Sequence, residues 1–289
     1  MQHNLNATTT LLGLAAFFFF STSDAMARVL MQSEVSQQQV LAGMILIALI
    51  PLLALVARDR AFEQLKPSHP GLVAGVTLIA VVEIYFCFYT FGHLRYLVEA
   101  YALLFTMPLW TALMAALLLK EHLSRPQIIA ILIGFAGVLV ANWPQEGMSP
   151  LGFAHFAGLA APFLASLRIL AMRKLGQKDG GYSLLICLFL GLAASNAVSM
   201  PSYAPLNGQA IAILLIAGLA QGCGYCSFLL AARQAAAPLL APFQYSQVLW
   251  ALIFGVLIFN EWPNANTYAG LALVVAGGAM LLKKNRNTG

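Results

Sequence analysis

The residues of this chain that could do chemistry are few, and they stand in apolar surroundings. Glu83 follows Ile79-Ala80-Val81-Val82 and precedes Ile84. A carboxylate in such a run needs a partner, a water-filled cavity or a proton, because an unpaired buried charge is costly. Tyr85 and Tyr89 lie i, i+4 beside it, and Thr90 adds a hydroxyl. One reading makes Glu83 a cavity-facing group that carries a proton or holds a cationic ligand. The other makes it a protonated carboxyl that hydrogen-bonds a neighbouring helix.

Other polar residues recur inside apolar runs. Asp24 and Arg28 are spaced i, i+4, so one helix face carries both and they can pair. Arg168 is a further internal charge. It could act as a gating or charge-pair residue, or anchor its helix end at the surface beside Arg173 and Lys174. Glu99 stands next to Arg95, and Tyr101 and Phe105 lead from it towards Trp110. Later in the chain the charges give way to amides and rings: Gln221 with Tyr225, and Gln244 and Gln247 with Tyr245 and Trp250. Amides between helices are commonly structural. Several of them converging with aromatic rings suit a pocket for a planar polar solute, whose rings could stack on Trp250 or Tyr245.

The elements that position these groups follow from composition. Of 289 residues, 61% are hydrophobic and only 9% charged, against about 25% charged in soluble domains. A water-facing surface cannot be built from so few charges. Spanning helices of about 20 apolar residues are therefore expected, at roughly 9–30, 38–57, 71–93, 97–119, 125–143, 151–173, 182–200, 208–231, 236–259 and 266–283. Breakers and polar clusters such as Pro67–Pro70, Pro144–Pro150 and Pro201–Gly208 mark the connectors. The fold class expected is an all-α integral membrane protein of ten transmembrane helices.

Charge placement predicts orientation. With the N-terminus inside, the cytoplasmic connectors and tail hold Arg58, Arg60, Lys66, Lys120, Arg125, Arg173, Lys174, Lys178, Arg233, Lys283, Lys284 and Arg286, while the opposite side holds only Arg95. Such a bias puts both termini in the cytoplasm, in a bacterial-type inner membrane. The apolar N-terminal run lacks a preceding Lys or Arg, and Asp24 and Arg28 interrupt its end, so it reads as a retained span.

The chain also repeats itself at an offset of 140 residues. Arg28 pairs with Arg168, Trp110 with Trp250, Glu121 with Glu261, and Gly137 with Gly277. The expected halves are 1–143 and 150–289, each of five spans. An odd number inverts the second half relative to the first. Inverted repeats are the architecture in which one central site can face either side in turn.

With these residues in view the chain resembles the drug/metabolite transporter superfamily, EamA type. The resemblance rests on Pro108-Leu109-Trp110, Leu117-Leu118-Leu119-Lys120-Glu121, Gly134-Phe135-Ala136-Gly137-Val138, and Phe259-Asn260-Glu261 with Gly270 and Gly277. Phe20-Ser21-Thr22-Ser23-Asp24 with Arg28, and Gln244-Tyr245-Ser246, are similar to the branch of S-adenosylmethionine uptake carriers. The resemblance implies a secondary transporter for a small polar organic metabolite: an amino acid, a nucleoside or an S-adenosylmethionine-like solute. Proton or exchange coupling and a monomer or homodimer are expected. A lipid-linked-sugar flippase is the alternative, and a membrane-embedded enzyme is disfavoured.

Other classes find little support. The basic residues sit in short clusters without a continuous face, so nucleic acid is not an expected partner. Cys223 and Cys226 form C-x-x-C inside an apolar run with no His nearby, and read as packing residues with no metal or other cofactor. No G-x-x-x-x-G-K-[ST] is present to drive transport with ATP. Glu121 and Glu261 read as loop or helix-end contacts. Gly134 with Gly137, and Gly270 with Gly277, read as sites of close helix approach.

Overall fold

A backbone crossing hydrocarbon must satisfy its own hydrogen bonds, and the apolar runs of this chain do so as helices. The computed structural model describes residues 7–33, 35–67, 69–120, 124–143, 150–175, 181–197, 203–234, 243–244 and 246–285. These residues form α1 Ala7–Gln32, α2 Gln37–Arg58, a 3-10 turn Phe62–Leu65, α3 Pro70–His93, α4 Leu97–Leu104, α5 Met107–Leu119, α6 Arg125–Ala141, α7 Phe153–Leu175, α8 Gly181–Ala197, α9 Gly208–Gln234, α10 Ser246–Phe259 and α11 Ala265–Asn285. No strand occurs among the described residues. Among the described residues six helical stretches are long and apolar enough to cross a membrane, and four shorter apolar helices stand where the other four spans were expected.

One expected span is broken. The run 97–119 forms α4 and α5, with the break at Phe105–Thr106. Pro108 has no N–H to offer the Leu104 carbonyl, so the helix cannot run through unchanged. The Phe105 N–H still donates to Tyr101 O (2.9 Å), and the Thr106 hydroxyl donates to Leu103 O (2.7 Å).

The chain forms two compact units: Met1–Val81 with Gln177–Trp250, and Val82–Gly176 with Ala251–Gly289. Each takes helices from both halves of the sequence. In the first unit α1 packs along α9. Thr9 donates to Gln234 Oε1 (3.0 Å) near one end, and Ser23 donates to the Ala217 carbonyl (2.9 Å) near the other. In the second unit α6 and α11 meet backbone to backbone. A Cβ on Gly137 would lie 2.6 Å from Gly270 O, and one on Gly277 would lie 2.6 Å from Ala130 O, so only glycine allows this approach.

Local structure echoes the 140-residue offset. Lys120 (φ 55) and Asn260 (φ 51) both take the left-handed conformation directly after α5 and α10. Four residues on, Ser124 and Asn264 both cap the next helix. The Ser124 N–H donates to Gln127 Oε1 (2.9 Å), and the Thr267 N–H donates to Asn264 Oδ1 (2.9 Å).

Candidate functional site

The candidate residues divide between the two units. In the second, Arg168 of α7 meets Glu83 of α3. Its Nε donates to Oε2 at 2.8 Å and its Nη2 to Oε1 at 3.0 Å, with the side chains 28% and 17% exposed. The guanidinium fork thus matches the carboxylate in a bidentate pair. Arg168 serves Glu83 in this arrangement.

Aromatic residues follow the pair along α3. Tyr85 is half-buried. Tyr89 stacks on His93 (3.8 Å, 11°) and meets the edge of Phe153 at 5.1 Å. On α4, Glu99 is fully buried, and Tyr101 stacks with Phe105 at 5.5 Å. Two carboxylates close the N-terminus of α4, where free N–H groups favour anions. Glu99 Oε2 accepts from the Tyr96 N–H (3.3 Å), and Glu261 Oε2 accepts from the Leu97 N–H (2.8 Å). Glu261 is therefore a helix-end contact, as the sequence suggested. Its counterpart Glu121 lies outside the described residues.

Trp110 lies between Phe135 and Phe163, edge-on to both at 5.1 and 5.3 Å. Its Nε1 is buried and has no hydrogen-bond partner among the described residues. The hydroxyls of Thr111 and Ser166 meet at 3.0 Å one position away.

In the first unit Tyr225 lies between rings of α1 and α8, 5.1 Å from Phe20 and 5.5 Å from Phe189. One turn earlier, Gln221 Oε1 is buried without a hydrogen-bond partner among the described residues, and so is Ser21 Oγ on α1. Trp250 meets Phe18 edge-on at 4.8 Å. Gln247 is buried and Gln244 half-buried. Tyr245 lies outside the described residues. Asp24 is half-buried on α1, and Arg28, one turn on, is 1% exposed.

Sequence reasoning missed one cluster. Asp59, which follows α2, accepts from the Tyr182 hydroxyl (2.7 Å), from Arg233 Nη1 (2.6 Å) and from Arg58 Nε (3.0 Å). The Arg233 guanidinium also lies 4.7 Å from the Tyr182 ring centroid. The Tyr182 hydrogen bond, then those of Arg233 and Arg58, hold the Asp59 carboxyl well below the usual carboxylate range. Partners 123 and 174 positions away leave no local pattern by which to find them.

Long apolar helices among the described residues define a multi-span membrane protein. The profile of the EamA-like transporter family matches residues 7–143 and again 152–283, and the chain belongs to this family. It is similar to a riboflavin transporter of Vibrio cholerae, 25% identical over 185 residues, which cover 63% of this chain and 61% of that one. It is also similar to an S-adenosylmethionine uptake transporter of Rickettsia conorii, 28% identical over 177 residues, or 59% and 58% of the two chains. These matches span about three fifths of the relatives' length. A solved crystal structure shares the fold with TM-score 0.68 at 20% identity, covering 99% of this chain and 100% of its own.

Proposed function

We propose that this chain is a secondary carrier that moves a small polar organic metabolite across an inner membrane by alternating access, with both termini in the cytoplasm. The observation that carries the reading is the Glu83–Arg168 pair. Charges within spans are costly and mark substrate or ion pathways. Here two of them form a part-exposed pair joining α3 to α7. The relatives' names support an S-adenosylmethionine-like metabolite or a flavin. Tyr225, Trp250 and the unpaired Gln221 Oε1 suit a planar polar ring. The two matches to one family profile support two five-helix repeats, and the Lys and Arg distribution supports the orientation.

The test is flux into proteoliposomes of radiolabelled riboflavin, S-adenosylmethionine, amino acids and nucleosides, with and without a proton gradient. Saturable uptake of one class, competed by its unlabelled form and lost in Glu83→Gln, is expected. Flux equal to that of empty liposomes for every class would sink the reading. Chemical alteration of a solute would point to an enzyme instead.

A further inference from the structure

We infer that the α3–α7 seam is the moving part of the carrier, with Glu83–Arg168 as its latch, while the α1–α9 seam stays closed; this rests on the transport reading above. The two seams are counterparts at the 140-residue offset. Residues 7–32 of α1 map onto α7, and residues 70–93 of α3 map onto α9. They nevertheless pack differently.

The α1–α9 seam is held along its length. Contacts run from Thr9–Gln234 through Phe17–Phe228 and Phe20–Tyr225 to Ser23–Ala217. A Cβ on Gly224 would lie 2.7 Å from the Phe20 ring and 3.3 Å from Ala16 O, so α9 leaves no room there for a side chain. The α3–α7 seam is close at one end, where the Thr90 hydroxyl donates to Ala154 O (3.2 Å). Further along, the Phe86 ring meets those of Phe153 and Phe156 edge-on at 6.1 and 6.2 Å. Beyond that, the Glu83–Arg168 arms make the contact between the two helices among the interactions described.

The two seams also differ in the residues that line them. Ala16, Ser23 and Ala217, with Gly224, line the close seam. Their counterparts 140 residues away are Phe156, Phe163, Thr77 and Ile84, all larger, of which Phe163 packs on Trp110 of α5 and Thr77 faces Gly191 of α8. Phe17 and Phe20 run the other way, with Ala157 and Ala160 as their counterparts. Glu83 and Arg168 are both long, and their bond across α3 and α7 can form or release without repacking a close seam. The latch has no equivalent on the other seam, because the position matching Glu83 is Cys223. A carboxylate therefore bridges one seam, and close packing along its length holds the other.

Spin-label distances in lipid vesicles test this, with Cys87, Cys187, Cys223 and Cys226 first replaced by Ala. One label pair is placed at Leu14 and Leu219 for the α1–α9 seam, and another at Val82 and Leu164 for the α3–α7 seam. The Leu14/Leu219 distance should be single, narrow and unchanged by Glu83→Gln. The Val82/Leu164 distance should lengthen by several ångströms in Glu83→Gln and equally in Arg168→Gln. It should return to its original value in the charge swap Glu83→Arg with Arg168→Glu. A Val82/Leu164 distance that ignores both single variants overturns the inference, and so does a Leu14/Leu219 distance that shifts with it. If Glu83→Gln does not fold, Arg168→Gln carries the test. The distances are read without substrate, so a failed flux assay would sink the transport reading and leave this result standing.

Discussion

Arg168 sits close enough to the end of α7 to snorkel outward, yet its guanidinium grips the Glu83 carboxylate on α3 in a bidentate pair. Each charge alone would cost about 2.5–3.5 kcal/mol at a helix centre on insertion scales. Held together, they satisfy each other, and removing one strands its partner.

That asymmetry gives the first prediction. Breaking a buried pair from one side costs about 3–5 kcal/mol. This pair is partly exposed, so about 1–3 kcal/mol is expected for Glu83→Gln or Arg168→Gln. The double variant should lose less than the sum of the two. Thermal unfolding of the four proteins in detergent provides the cycle, and strict additivity would show that the pair is uncoupled.

Glu261 closes α4 from 164 positions away through its 2.8 Å bond with the Leu97 N–H. Glu261→Ala should cost about 0.5–2 kcal/mol, the range for a lost helix cap. Glu261→Gln keeps an acceptor oxygen and should cost less. Amide exchange at Leu97 should quicken in the Ala variant and change little in the Gln variant. Equal exchange in all three proteins would remove Glu261 from this role.

The α6–α11 contact predicts intolerance of bulk. Gly137→Val and Gly277→Val would each drive a side chain into opposing backbone, and overpacking typically costs about 1–3 kcal/mol. Gly71, around which a Cβ meets nothing, is the control, and Gly71→Ala should leave the melting temperature unchanged. A melting temperature for Gly137→Val equal to that of Gly71→Ala would contradict the close approach.

Asp59 carries a pH prediction. Its folded carboxyl is held below the ordinary 3.8, so the unfolded chain takes up a proton first as pH falls. The stability it adds is full above about pH 4 and drains away as pH drops further. Asp59→Asn removes that dependence. Melting temperatures of the native protein and the Asp59→Asn variant, followed from pH 7 down to pH 3, should therefore converge towards low pH. Parallel curves would show that the Tyr182–Arg233 cluster does not hold the carboxyl.

The candidate groups show how far a sequence reaches. Glu83 was legible because one carboxylate in an apolar run has few neighbours to excuse it. Arg168 was legible as an internal charge and, through the offset, as the mate of Arg28. Their mutual contact was not, because 85 positions separate them and either could have been served by water, a proton or the headgroups. The break in the fourth span was signalled by Pro108, yet the run reads as continuous by hydropathy alone. The Asp59 cluster had no local signature.

Composition and charge alone determined that this chain lives in a membrane as stacked helices, because 9% charged residues cannot clothe a soluble surface. Spacing alone also raised the expectation of a repeat and pointed to the glycines that let helices meet, since helix period and residue size are local properties. Only the tertiary structure decided which charges pair, which carboxylate caps which helix, and which of two corresponding seams closes. Those outcomes depend on distances of a few ångströms between residues far apart in the chain, and hydrogen bonding and packing act only at that range.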